Sequence, residues 1–99
     1  MNIVKKQTGN ELLIELSGSL DTMTAPELDK VIRESLNDVK SLVFDFSKVD
    51  YVSSAGLRVL LVAYKVMQQQ GTMVLRHVNS DIMDVFSITG FVEFLQIEN

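Results

Sequence analysis

Beyond residue 24 the hydrophobic pattern keeps changing period: helical spacing, a short apolar run, then helical spacing again. A strand, a helix and a further strand in succession require a crossover, and repeated crossovers build a parallel sheet with helices packed on it. The clearest strand is Leu42-Val43-Phe44-Asp45-Phe46, whose nearly continuous apolar character predicts cover on both faces. A helix over 24–37 precedes it. Thr24 stands as its cap with Glu27 at capping-box spacing, and Met23 and Leu28 fit a hydrophobic staple. Pro26 falls in the first turn, where its missing N–H is not needed. Leu28, Val31, Ile32 and Leu36 then share one helix face.

After the apolar strand a second helix is predicted over 54–70, broken at Gly71, followed by a strand over Thr72 to His77. Asn79 or Ser80 caps a third helix carrying Ile82, Val85 and Phe86, which Gly90 closes, and Val92 to Ile97 forms the last strand. At the front, a weak strand over 2–7 meets the turn cluster Thr8-Gly9-Asn10. An alternating segment over 11–17 follows, with Leu12, Ile14 and Leu16 facing one way. Two strands joined by so short a glycine-containing loop form an antiparallel hairpin. The order β-β-α-β-α-β-α-β predicts an α/β fold, a single domain over 1–99 with a mixed, mostly parallel sheet and flanking helices.

Size and charge limit what such a domain does. Its 99 residues suffice for one ordinary core and no second domain. The absence of cysteine removes disulfides, thiol catalysis and thiolate metal sites, and fits a reducing compartment. A net charge of −4 opposes a phosphate backbone, so no nucleic-acid partner is expected. No apolar run approaches the roughly 20 residues that span a bilayer, and Met1-Asn2-Ile3-Val4-Lys5-Lys6 lacks the core of a signal peptide. These features predict a cytoplasmic domain without direct membrane insertion.

They also argue against an enzyme. His77 is the only histidine and reads as a surface or interface residue rather than a base. Serine nucleophiles need a base and an orienting acid, and Ser-Ser-Ala-Gly is not a nucleophile elbow. Neither a GxxxxGK[ST] loop nor a GxGxxG motif occurs, and the scattered acids show no metal-ligand spacing. Neither a cofactor nor a metal is expected.

The most informative stretch is Val49-Asp50-Tyr51-Val52-Ser53-Ser54-Ala55-Gly56-Leu57-Arg58, which follows the buried strand and opens the second helix. Functional loops of open α/β sheets lie at the carboxyl ends of parallel strands. Small residues here leave the backbone of the helix start open to close approach. N-capping explains one serine, but the second hydroxyl and a glycine that costs about 1 kcal/mol remain without a helical reason. Further along, Leu57, Leu60, Leu61, Tyr64 and Met67 form the predicted core stripe, with Arg58, Lys65 and Gln69 opposite. Val59, Val62 and Val66 border the polar sector. Two readings apply to them: burial under a neighbouring helix, the commoner case, or an apolar contact strip leading away from Ser54.

The run Val52-Ser53-Ser54-Ala55-Gly56-Leu57-Arg58-Val59-Leu60-Leu61 resembles the signature of STAS domains, the bacterial anti-sigma factor antagonists. Leu16-Ser17-Gly18-Ser19-Leu20-Asp21, Leu42-Val43-Phe44-Asp45-Phe46-Ser47 and Ile88-Thr89-Gly90-Phe91 resemble further family segments, in the right order and over nearly the whole chain. The resemblance implies a non-enzymatic partner switch. An unphosphorylated antagonist binds an anti-sigma factor that doubles as its serine kinase and supplies the ATP site, which frees the sigma factor. Phosphorylation of one serine releases the partner, and a PP2C-type phosphatase reverses it.

On the family pattern Asp-Ser-Ser-Gly, Ser53 takes the aspartate's place, Ser54 the acceptor's and Ala55 the second serine's. Ser54 is thus the expected phosphoacceptor, with Ser53 as runner-up. Asp21, Thr22, Met23, Ser53, Ala55, Gly56, Leu57 and Arg58 are the expected partner-binding residues. On local grounds alone, Asp21 caps a turn, and Asp45 accepts loop N–H groups because a buried carboxylate must be paired. The resemblance also admits a STAS accessory subunit of a membrane or lipid transport complex that is never phosphorylated. Members of the family it resembles continue into a C-terminal helix, whereas this sequence ends at Gln96-Ile97-Glu98-Asn99. Either that helix is absent or the sequence is shortened, and the expectation is an apolar patch on one sheet face open to a weak homodimer or a partner.

Overall fold

The computed structural model describes residues 1–98. Strand β1 (Asn2–Thr8) and strand β2 (Glu11–Leu20) form the opening antiparallel hairpin, with Gly9 at φ 61° in its turn. Helix α1 (Ala25–Ser35), β3 (Ser41–Val52), α2 (Ser54–Gln70), β4 (Thr72–Arg76) and α3 (Ser80–Thr89) follow. A 3-10 turn (Phe91–Glu93) and β5 (Gln96–Glu98) end the described chain.

The five strands lie in the order β1-β2-β3-β4-β5, and β2 through β5 are mutually parallel. Each crossover therefore steps the same way across the sheet. Right-handed connections that never reverse direction put every helix on one face. This corrects the expected two-sided cover of β3: Leu42, Phe44 and Phe46 are buried under the helices, whereas Val43 and Asp45 on the other face stay half-exposed. The same alternation runs through β2, where Leu12, Ile14 and Leu16 are buried between half-buried Leu13 and Glu15.

The last strand is also shorter than its sequence suggests. Phe91 and Phe94 join Phe86 and Tyr64 in a chain of ring contacts, with centroids 6.4, 4.9 and 4.8 Å apart in turn. Reaching those rings coils residues 91–94 and leaves only Gln96–Glu98 to pair with β4. The third helix begins and ends as expected: the Asn79 side chain accepts from the Ile82 amide at 2.9 Å, and Gly90 closes it in the left-handed region at φ 82°.

Strand β3 reaches well past its apolar centre. Its tail stays paired with β2 through two register shifts, ending with Ser19 opposite Tyr51 and Leu20 opposite Val52. Such bulges twist a strand and re-aim its side chains. They bring the ends of β2 and β3 to one edge, where α1 and α2 begin.

Candidate functional site

Two loops meet at this carboxyl edge, and a backbone bond ties them: the Ser53 amide donates to the Leu20 carbonyl at 2.9 Å. Ser53 sits in extended geometry (φ −93°, ψ 176°), which turns its hydroxyl over the first turn of α2 to accept from the Gly56 amide at 3.5 Å. Ser53 is thus the N-cap and is half-buried. Ser54, the first helical residue, is exposed, and among the described residues its hydroxyl has no hydrogen-bond partner. One serine closes the helix and the other is left facing out.

Gly56 and Leu57 are buried in the first turns of α2, where the glycine packs the helix start against the end of β2. The glycine has a structural cause: a Cβ on it would lie 2.7 Å from Leu20 Cγ and 2.8 Å from the Leu20 oxygen. Ala55 is half-buried and Arg58 exposed.

The loop before α1 departs from its expected capping. The Thr24 hydroxyl donates to the Ser19 carbonyl at 2.7 Å and accepts from the Asp21 amide at 2.9 Å, so it makes no cap to α1 and no capping box forms. Asp21 instead organises the loop, as its Oδ1 accepts from the amides of Met23 at 2.9 Å and Thr24 at 3.1 Å. The Thr24 amide is the chief cause that holds the Asp21 carboxyl below its ordinary range. Met23 is 83% exposed, so the staple with buried Leu28 does not form, and Thr22 and Met23 project from the edge.

Tyr51, 54% exposed at the end of β3, adds a large side chain that the sequence reading missed. Strand alternation should have flagged it, but the register shifts break that parity. Asp45 lies mid-strand on the open face rather than beside the serines, with Oδ1 accepting from the Ser47 amide at 2.8 Å. Partial burial pushes its pKa up, but the Ser47 amide and hydroxyl together with the charges of His77 and Lys48 outweigh that and hold it low. His77 is exposed at the end of β4 in the left-handed region, φ 60°.

Between α1 and α2, starting beside the serines, runs an open groove of about 420 Å³ with Ala25, Pro26, Ala55, Val59 and Val62 among its lining residues. The valines of α2 split the two readings given for them: Val59 is buried, Val62 half-buried and Val66 36% exposed. The core stripe shifts accordingly, since Val59 and Ala63 join Leu57, Leu60 and Met67 inside while Leu61 and Tyr64 are only half-buried. Among the described residues no group of three or more acidic or histidine side chains could hold a metal ion, and no helix is long and apolar enough to cross a membrane.

A one-sided, mostly parallel sheet with paired loops at its carboxyl edge defines the class, and the comparisons identify it. The STAS domain model matches residues 2–99, and the chain belongs to that family. The anti-sigma-B factor antagonist of Listeria monocytogenes is 30% identical over 106 residues, covering 100% of this chain and 91% of the relative. An anti-sigma factor antagonist structure from Mycobacterium paratuberculosis superposes with TM-score 0.87 at 22% identity, over 97% of this chain and 83% of that one. The antagonist SpoIIAA matches in its unphosphorylated form with TM-score 0.74 at 15% identity, over 99% and 88% of the two chains. Its phosphorylated form matches with TM-score 0.68 at 16% identity, over 99% and 92%. These solved structures establish the shared fold.

Proposed function

We propose that this chain is an anti-sigma factor antagonist acting as the middle component of a partner switch in the cytoplasm. The unphosphorylated protein binds an anti-sigma factor that is also a serine kinase, which frees the sigma factor. The kinase transfers the γ-phosphoryl group of its ATP to Ser54 Oγ, the hydroxyl proton leaves, and ADP is the second product. A PP2C-type phosphatase hydrolyses the phosphoserine and restores the binding form. The protein itself catalyses no step.

The single observation that carries this reading is the free, exposed hydroxyl of Ser54 on the edge where Thr22, Met23, Tyr51 and Arg58 are also exposed. Ser53 supports it from beneath, because its own hydroxyl is occupied by the Gly56 amide. The name borne by the Listeria relative supports the choice of partner. A phosphoserine carries about −1.5 to −2 charges, which the amides and dipole of a helix start tolerate. Inside a desolvated interface an unpaired charge costs about 2–5 kcal/mol, and each 1.4 kcal/mol is tenfold in affinity. One phosphate therefore suffices to release a micromolar complex.

The test is incubation with the kinase partner and Mg-ATP, followed by mass spectrometry of the wild type, Ser54→Ala and Ser53→Ala. Phosphate on the wild type and on Ser53→Ala, but not on Ser54→Ala, is the expected result. Phosphate retained by Ser54→Ala moves the acceptor to another residue. An unmodified wild type that stays bound to its partner overturns the switch in favour of a constitutive accessory subunit.

A further inference from the structure

The groove beside Ser54 has three charged residues in its lining: Asp29, Arg33 and Arg58. Two of them are spent on each other. Arg33 Nε donates to Asp29 Oδ2 at 2.8 Å, and that bond raises the Arg33 pKa. Arg58 is exposed, and among the described residues it has neither an ion pair nor a side-chain hydrogen bond. It is therefore an unspent cation in a molecule of net charge −4.

Arg58 follows Ser54 by four residues within α2. Side chains on a helix tilt toward its N-terminus, so a long residue at i+4 leans back over residue i. An anionic residue followed by a cationic one at that spacing is also the favourable sense of an intrahelical pair. A planar guanidinium matches a phosphate with two parallel N–H donors, which an ammonium does not.

We infer that Arg58 is the intramolecular clamp for a phosphate on Ser54. This rests on the proposal that Ser54 is the acceptor and deepens it by naming the group that receives the phosphate. Phosphorylation then changes the docking edge at two points, since a dianion appears and the free cation beside it becomes engaged. The clamp also orients the phosphate along the α2 surface, over the mouth of the groove.

The test separates the clamp from the kinase. Phosphoserine is installed at position 54 by genetic encoding, and its second ionisation is followed by ³¹P NMR in the full chain with Arg58, Arg58→Lys and Arg58→Gln. The helix start is common to all three, so differences report residue 58. In Arg58→Gln the ionisation is expected to move up by about 0.3 unit or more relative to wild type, with Arg58→Lys between them. High salt should shrink the gap. Identical titrations of the wild type and Arg58→Gln overturn the clamp even where the kinase modifies Ser54. A measured gap upholds it even where no kinase does, in which case only the switch reading fails.

Discussion

Gly56 is packed against Leu20 so closely that no side chain fits between the start of α2 and the end of β2: a Cβ would approach the leucine side chain at 2.7 Å and its carbonyl oxygen at 2.8 Å. That same carbonyl receives the Ser53 amide, so the contact and the hydrogen bond fix one geometry. The glycine sets how near α2 approaches the β2 end, and hence where Ser54 is held.

Gly56→Ala should therefore destabilise the fold despite alanine's better helix propensity. Backbone cannot yield as a flexible side chain does, and overpacking of this kind costs about 1–3 kcal/mol. Urea unfolding measures it, and a gain in stability would show that α2 does not press on Leu20.

Ser54→Asp should separate binding from folding. The hydroxyl is exposed and unbonded, and a negative group at a helix start is favourable, so stability should change by less than about 0.5 kcal/mol. Affinity for the anti-sigma partner, measured by calorimetry, should fall tenfold or more. A cooperative loss of structure would mark Ser54 as a structural residue instead.

Met23 and Tyr51 are, among the described residues, the large hydrophobic side chains exposed on this edge. Exposed apolar and aromatic anchors near an interface centre carry much of its energy. Met23→Ser and Tyr51→Ala are each expected to weaken the partner complex by about 1 kcal/mol or more while leaving the melting temperature in place. Unchanged affinity in both would move the docking face off the β2–α1 and β3–α2 loops.

Much of the frame that positions the candidate site is legible in the sequence because its signals are local. The Asn79 cap, the Gly90 closure and the bounds of α2 follow from residues within one turn of each other. What stayed hidden depends on distant atoms. Thr24 had a cap's spacing, but the Ser19 carbonyl is within its reach and takes its hydroxyl. Tyr51 was invisible because two register shifts erase the alternation that would expose it. The one-sided cover of β3 comes from strand order, to which an apolar run is blind. Gly56 looked unexplained until Leu20, remote in sequence, lay beneath it.

Asp21 makes the β2–α1 loop sensitive to acid. Its carboxyl is held below the ordinary value of 3.8, first by the Thr24 amide, so the folded form binds a proton less readily than the unfolded chain. Its contribution is full above the unfolded pKa and disappears as pH falls through the folded one. Asp21→Asn retains an acceptor for the loop but not the charge. The stability gap between wild type and Asp21→Asn should be constant near neutrality and close below about pH 4. Asp45, also depressed, is present in both proteins and cancels from the difference. A gap independent of pH down to acid denaturation would remove the charge from the account.

Asn79 joins α3 to the strand that leads into the serines. Its Oδ1 caps α3 through the Ile82 amide at 2.9 Å, while its Nδ2 donates to the Val49 carbonyl in the tail of β3 at 3.1 Å. Asn79→Ala removes both bonds and should cost about 1–2 kcal/mol. Asn79→Asp retains the cap and sets a charge that suits the helix start, but it loses the donor and turns an oxygen toward the carbonyl. Its stability should fall between the other two, and amide exchange at Ser53, whose N–H is held by Leu20, should quicken as the β3 tail loosens. If Asn79→Asp matches the wild type in both stability and Ser53 exchange, the brace to Val49 contributes nothing, and the site is held by the Leu20 contact alone.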